Sequence, residues 1–120
     1  MRTLILLRHA AAEPAGPGHR DFDRALDANG QTEAEGAARR LAALPFRPAL
    51  ALVSPARRSQ MTAQIVARHL RLGDDALRAE ASLYLAPVPA LREVIARPPA
   101  RVDCLLVVGH NPGLSDLVSE

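Results

Sequence analysis

Cys104-Leu105-Leu106-Val107-Val108-Gly109-His110-Asn111-Pro112 is the stretch that decides the fold. Its opening apolar run has the length of a short strand and none of the polar alternation of a half-exposed one, so it reads as a strand buried on both faces. Gly109 ends the run, and Asn111 followed by Pro112 reads as a helix cap and a first helical residue. A buried strand that turns directly into a helix is the repeating unit of an α/β sheet. The same grammar occurs upstream. Residues 49–53 form a second apolar strand, and Ser54-Pro55 is again a cap and a proline, opening a predicted helix over 55–70 that Gly73 stops. Residues 3–7 form a first strand, also read as buried on both faces and ended by Arg8 and His9.

The intervening segments fill in the layers. Residues 10–24 carry Pro14, Gly16, Pro17 and Gly18 and read as a long surface loop, a length that is often functional. Asp27 is placed to cap a helix over 28–43 whose inner face is Ala34, Ala37, Ala38 and Leu41, with Pro45 and Pro48 beyond its end. Residues 77–85 hold a short strand and a turn; 87–97 form a helix with Leu91, Val94 and Ile95 inward, stopped by Pro98-Pro99. The reading is one domain over 1–120, an α/β three-layer sandwich with a mostly parallel central sheet and helices on both faces. A fourth helix reaching Glu120 would ordinarily lead to another strand, so the sequence reads as shortened at its C-terminal end.

Composition excludes several classes. Hydrophobic residues are 48% and charged residues 23% of 120, which is globular rather than disordered. A chain of this size hides roughly 65% of its unfolded surface and needs no staple. The single cysteine, Cys104, lies within an apolar run and reads as a buried thiol of a reducing compartment. All 15 basic residues are arginine, and the pI is about 9.5. Aromatic residues are 2%, which argues against single-strand nucleic-acid binding by base stacking. The apolar start at residues 4–7 is far shorter than a signal or membrane segment, so the expectation is a soluble cytoplasmic protein with no membrane or nucleic-acid partner. No H-x-H or H-E-x-x-H spacing links the four histidines, so no metal site or cofactor is expected.

Ligands of open α/β sheets bind beyond the carboxyl ends of the strands. Three segments put unusual residues there: Arg8-His9, Ser54 to Arg58, and Gly109-His110. Grouping two imidazoles with at least two guanidinium groups, without carboxylates, is unfavourable unless an anion arrives, and phosphate is the anion that suits arginine forks. An imidazole nitrogen can then attack phosphorus in line while the cationic groups hold the equatorial oxygens. A cysteine phosphatase is a poor fit, because His110 stands six residues beyond Cys104, where that chemistry needs arginine.

Those residues carry a likeness. Leu7-Arg8-His9-Ala10 resembles the Arg-His-Gly signature of the histidine phosphatase superfamily, Ser54-Pro55-Ala56-Arg57-Arg58-Ser59-Gln60-Met61-Thr62-Ala63 resembles its second arginine motif, and Val108-Gly109-His110-Asn111-Pro112 resembles its second histidine motif. Within the superfamily the likeness is to the small SixA-type phosphohistidine phosphatases, where Asp21-Phe22-Asp23-Arg24-Ala25-Leu26 resembles the segment that supplies an extra arginine. The resemblance implies His9 as nucleophile, Arg8, Arg58 and His110 as phosphoryl ligands, and Arg24 as a further one; Arg57 is the alternative to Arg58. Ala10 stands where glycine is usual, and Met61 where many relatives carry glutamine.

The expected reaction is hydrolysis of a phosphohistidine in a phosphorylated protein through a phosphohistidine intermediate on His9. A small phosphomonoesterase or mutase acting on a small phosphorylated substrate is the alternative, and a non-catalytic phosphate- or partner-binding module is another. Ester cleavage needs an acid for the departing alkoxide. Glu80, Glu13 and Asp23 are the carboxyl candidates, but none lies in a recognisable acid motif. A protonated phosphoimidazole leaves as neutral imidazole, whose conjugate acid has a pKa near 6.5, and needs little help.

Overall fold

The computed structural model describes residues 2–119. Four parallel strands form one sheet, β1 (Thr3–Arg8), β2 (Leu50–Val53), β3 (Leu77–Ala79) and β4 (Cys104–Gly109), in the order β1-β4-β2-β3. Helices α1 (Ala28–Ala42), α2 (Arg57–Leu70), α3 (Val88–Ala96) and α4 (Gly113–Val118) connect or follow them. Side chains alternate across the sheet, as the pleat requires. Val53, Leu106 and Val108 pack under Ala34 and Ala38 of α1 and Ala63, Ile65, Val66 and Leu70 of α2. Leu50, Leu52, Leu105 and Val107 pack under Leu91 and Val94 of α3 and Leu114 of α4. The three-layer α/β sandwich expected from the strand runs is therefore the observed architecture.

The apolar runs sort as their positions in the sheet demand. β4 and β2 are buried throughout, whereas β1 is an edge strand, half-buried, with Leu4 exposed. The both-faces-buried reading of residues 3–7 is corrected on that point. Asp27 caps α1 as expected, its Oδ1 accepting the Gly30 N–H at 2.6 Å. Gly30 is required there, because a Cβ would stand 1.8 Å from the Ala11 carbonyl oxygen. This close approach, with the Ala12–Leu26 bridge, pins the loop after His9 to the start of α1.

Two helix starts differ from expectation. α2 begins at Arg57 rather than Pro55, and no side chain caps it. α4 begins at Gly113, one residue after Pro112, while Asn111 Oδ1 accepts the Ser115 N–H at 3.0 Å. Ala10 tolerates the usual glycine position because its φ is not positive. Among the described residues no helix is long and apolar enough to cross a membrane.

Candidate active site

The sheet register assembles the site. β4 lies between β1 and β2, so the residues following these strands arrive side by side. The His9 N–H donates to the Gly109 carbonyl at 3.1 Å and the Ser54 N–H to the Val108 carbonyl at 3.0 Å. The His9 and His110 rings lie 5.1 Å apart between centroids. Arg58, on the first turn of α2 and only 2% exposed, projects between them. Arg57 is exposed and faces a rim pocket with Glu13, His19 and Arg24, so Arg58 is the arginine at the imidazoles.

The Arg58 guanidinium divides its donors between two edges. On one edge, Nε–H donates to His9 Nε2 at 3.2 Å, and Nη2 lies 3.4 Å from His110 Nδ1. On the other, Nη1 donates to the Asp21 carbonyl at 2.7 Å and Nη2 to Asp21 Oδ2 at 3.0 Å. A guanidinium only donates and a carbonyl only accepts, which fixes the His9 tautomer. Nδ1 carries the proton and donates it to the Ala10 carbonyl at 2.8 Å, leaving a lone pair on Nε2. Burial lowers the His9 pKa below its ordinary value, and the charges of Arg58, Arg8 and Arg24 lower it further, against the Ala10 hydrogen bond. His9 is thus a neutral imidazole with the lone pair of Nε2 aimed at Arg58.

His110 is almost fully buried, and burial with the Arg58 charge takes its pKa to about 4. Its Nε2 lies 2.6 Å from Ser54 Oγ. A hydroxyl both donates and accepts, so Ser54 can support a lone pair on Nδ1 toward Arg58 or an N–H on Nδ1 toward an incoming oxyanion. Ser54 was expected as a helix cap; its hydroxyl instead accepts the Ala56 N–H at 3.3 Å and orients His110. Thr62 Oγ1 accepts the Ala10 N–H at 3.1 Å and donates to the Arg58 carbonyl at 2.8 Å, tying the end of β1 to α2.

The remaining expected residues take different positions. Arg8 is exposed at the end of β1 beside His9 and makes no hydrogen bond or ion pair among the described residues. Arg24 donates from Nε to the Glu13 carbonyl at 2.6 Å and from Nη1 to Asp21 Oδ1 at 2.9 Å. Glu80 is held by Ser82 and Arg97, away from the imidazoles, and these partners lower its pKa. Asp23 pairs with Arg20, and Glu13 is exposed. Met61 packs against the core and lines a groove with Gln64, Ile65 and Leu77, apart from His9 and His110.

The carboxylate-free cluster expected from sequence is corrected by Asp21. Its carboxylate joins Arg58, Arg24 and the Tyr84 hydroxyl, and those hydrogen bonds, Tyr84 first, hold it ionised well below the usual carboxylate range. Tyr84 also stands edge-on to His110, 5.5 Å between centroids. The Asp21–Arg24 spacing was a weak local sign of an ion pair; nothing in the sequence pointed to Tyr84, the only tyrosine.

Residues 4–83 match the family model of the histidine phosphatase superfamily, branch 1. Among solved structures the chain is similar to one assigned as phosphohistidine phosphatase SixA of Agrobacterium tumefaciens, with 36% identity, a TM-score of 0.90, and 99% of this chain and 76% of that chain covered. A structure similarly assigned from Nakamurella multipartitia is 31% identical with a TM-score of 0.84, over 97% of this chain and 63% of that one. A third, the protein histidine phosphatase SixA complexed with tungstate, is 26% identical with a TM-score of 0.85, over 98% of this chain and 74% of that one. No curated protein matches the chain. With a family model matching well over half its length and a 36% identical structure matching nearly all of it, the chain belongs to the histidine phosphatase superfamily and is a phosphatase.

Proposed function

We propose that the protein hydrolyses phosphohistidine in a phosphorylated protein, through a covalent phosphohistidine on His9. The observation that carries this reading is the pair of hydrogen bonds that leaves the His9 Nε2 lone pair facing the Arg58 guanidinium. A phosphoryl group entering between Arg58 and the two imidazoles exchanges neutral nitrogen acceptors for anionic oxygens on one guanidinium edge. Charge-assisted hydrogen bonds of this kind are the stronger ones. The other edge stays on Asp21. A tetrahedral oxyanion, tungstate, occurs with one of the similar SixA proteins, which supports an oxyanion role for the same fold.

In the first step Nε2 of His9 attacks phosphorus, the P–N bond of the substrate breaks, and its electron pair returns to the substrate imidazole, which leaves neutral because its other nitrogen keeps its proton. In the second step water attacks phosphorus, the P–Nε2 bond breaks, and His9 is restored with phosphate released. Arg58, Arg8 and the His110 N–H neutralise charge in both steps, with Arg24 at the rim. Ester cleavage is the weaker reading because Asp21, the carboxylate on Arg58, is ionised and Glu80 is engaged elsewhere. Buried, unpaired Cys104 accords with a reducing cytoplasm.

The test offers a phosphohistidine protein and an aryl phosphate to the wild type and to His9→Ala. The expected result is phosphohistidine turnover with an acid-labile enzyme phosphate, and loss of both in His9→Ala by roughly a thousand-fold or more. Preference for the ester would overturn the reading in favour of a phosphomonoesterase. Phosphate binding without turnover would replace it with a binding module.

A further inference from the structure

We infer that Asp21 selects the leaving group, its carboxylate accepting a hydrogen bond from the distal ring N–H of the substrate phosphoimidazole while the P–N bond breaks. This rests on the phosphohistidine reading and names the residue that distinguishes that substrate from an ester.

Three observations place Asp21 for the task. Its carboxylate lies on the Arg58 edge adjoining the one that faces His9 and His110, so it borders the space a phosphoryl group would enter without occupying it. It is held from three directions, by Arg24 on the same loop, by Arg58 on α2 and by Tyr84 beyond β3. It is also reachable, since 43% of its side chain is exposed. Each carboxylate oxygen offers about two acceptor positions. Oδ2 takes Arg58 and Tyr84, whereas Oδ1 takes only Arg24 and keeps one position for an incoming N–H.

The chemistry follows from that charge. An ionised carboxylate accepts a proton-bearing nitrogen and favours its cationic form, so the phosphoimidazole keeps the proton that lets it leave neutral. No proton passes to or from Asp21. The same carboxylate offers an alkyl ester nothing, because the departing oxygen gathers negative charge and the carboxylate has no proton to give. Arg24, Arg58, Tyr84 and His110 are the titratable or charged groups that face Asp21, and the one hydroxyl proton among them, that of Tyr84, is already donated to Asp21.

Asp21→Asn tests the inference with the full chain, a phosphohistidine peptide and p-nitrophenyl phosphate. The ratio of the two kcat/KM values should fall at least about 10-fold toward the ester, the size of one charge-assisted hydrogen bond. The alkaline limb of phosphohistidine turnover should move to lower pH, as the substrate loses its ring proton more readily. Equal loss on both substrates would overturn the inference and make Asp21 a support for Arg58. Inhibition by inorganic phosphate separates the two roles, since it should persist in Asp21→Asn and would weaken together with turnover if Arg58 had moved. A wild type that turns over only the ester overturns the function reading, before any variant is compared.

Discussion

Two arginines at opposite ends of the sheet are used in opposite ways. At the end where the strands begin, Arg2 donates to the carbonyls of Val102, Ile95, Pro98 and Pro99, all within 3.0 Å. At the end where the strands finish, Arg58 donates to His9 Nε2 and to the carbonyl and carboxylate of Asp21. Both side chains are well satisfied, yet only one arrangement can be exchanged. Backbone carbonyls at a helix end have to be satisfied in every state of the folded chain. A neutral imidazole nitrogen has no such requirement and yields its donor to an oxyanion. The partners of a guanidinium, more than its burial, therefore separate a structural arginine from a functional one.

The largest effect expected from this contrast is at Arg58. Arg58→Ala removes donors aimed at developing phosphoryl charge, so kcat/KM should fall about 100- to 1000-fold, the range for removing a preorganised charge stabiliser. Steady-state kinetics on the folded variant checks it, and a fall below 10-fold would erase the distinction from Arg2. Arg58→Lys should recover little, because a point charge cannot hold Asp21 and a phosphoryl group on two edges at once.

Acid should act at one end only. His110 has a folded pKa of about 4 against 6.5 unfolded, so the unfolded chain binds the proton first as pH falls. Stability is then lost as pH falls from about 6.5 toward 4, by an amount on the order of 3 kcal/mol for such a shift. Asp21, held ionised in the folded state, adds a further loss below the ordinary carboxylate range. Urea unfolding between pH 7 and 4 should show this slope in the wild type and a flatter one in His110→Asn. Equal slopes would mean that His110 titrates normally. The Arg2 acceptors are carbonyls and contribute nothing to the slope.

The same contrast explains what could be read from sequence. Residues 3–7, 49–53 and 104–108 were legible as strands because a run of apolar residues is a local signal, and the segments Arg8-His9, Ser54 to Arg58 and Gly109-His110 followed because ligands gather where parallel strands end, while the preference for Arg58 over Arg57 came from the resemblance to the family. The edge position of β1 was not legible, since strand order is decided by distant pairing. Ser54 was misread because Ser-Pro before a helix fits a cap, and only the arrival of His110, 56 residues later, gives its hydroxyl another partner. Asp21 and Tyr84 stand 63 residues apart and meet only when the loop after His9 folds over α2. Arg2 gave no signal at all, because its acceptors are backbone atoms that any residues would supply.

Arg2 offers the smallest effect and the sharpest control. Arg2→Ala leaves the Val102, Ile95, Pro98 and Pro99 carbonyls to water, which can satisfy the exposed ones and only partly replaces a charged donor at the others. Hydrogen bonds to a charged group are worth about 1.5–3 kcal/mol each and do not add when they share a donor group, so a total loss of about 2 kcal/mol is expected. Chemical denaturation reads that loss as a lower midpoint at unchanged slope. Turnover per folded molecule should stay as it was, because the sheet separates Arg2 from His9. A variant with normal stability and impaired turnover would show that the two ends are coupled through β1, and the division of labour between the two arginines would fail.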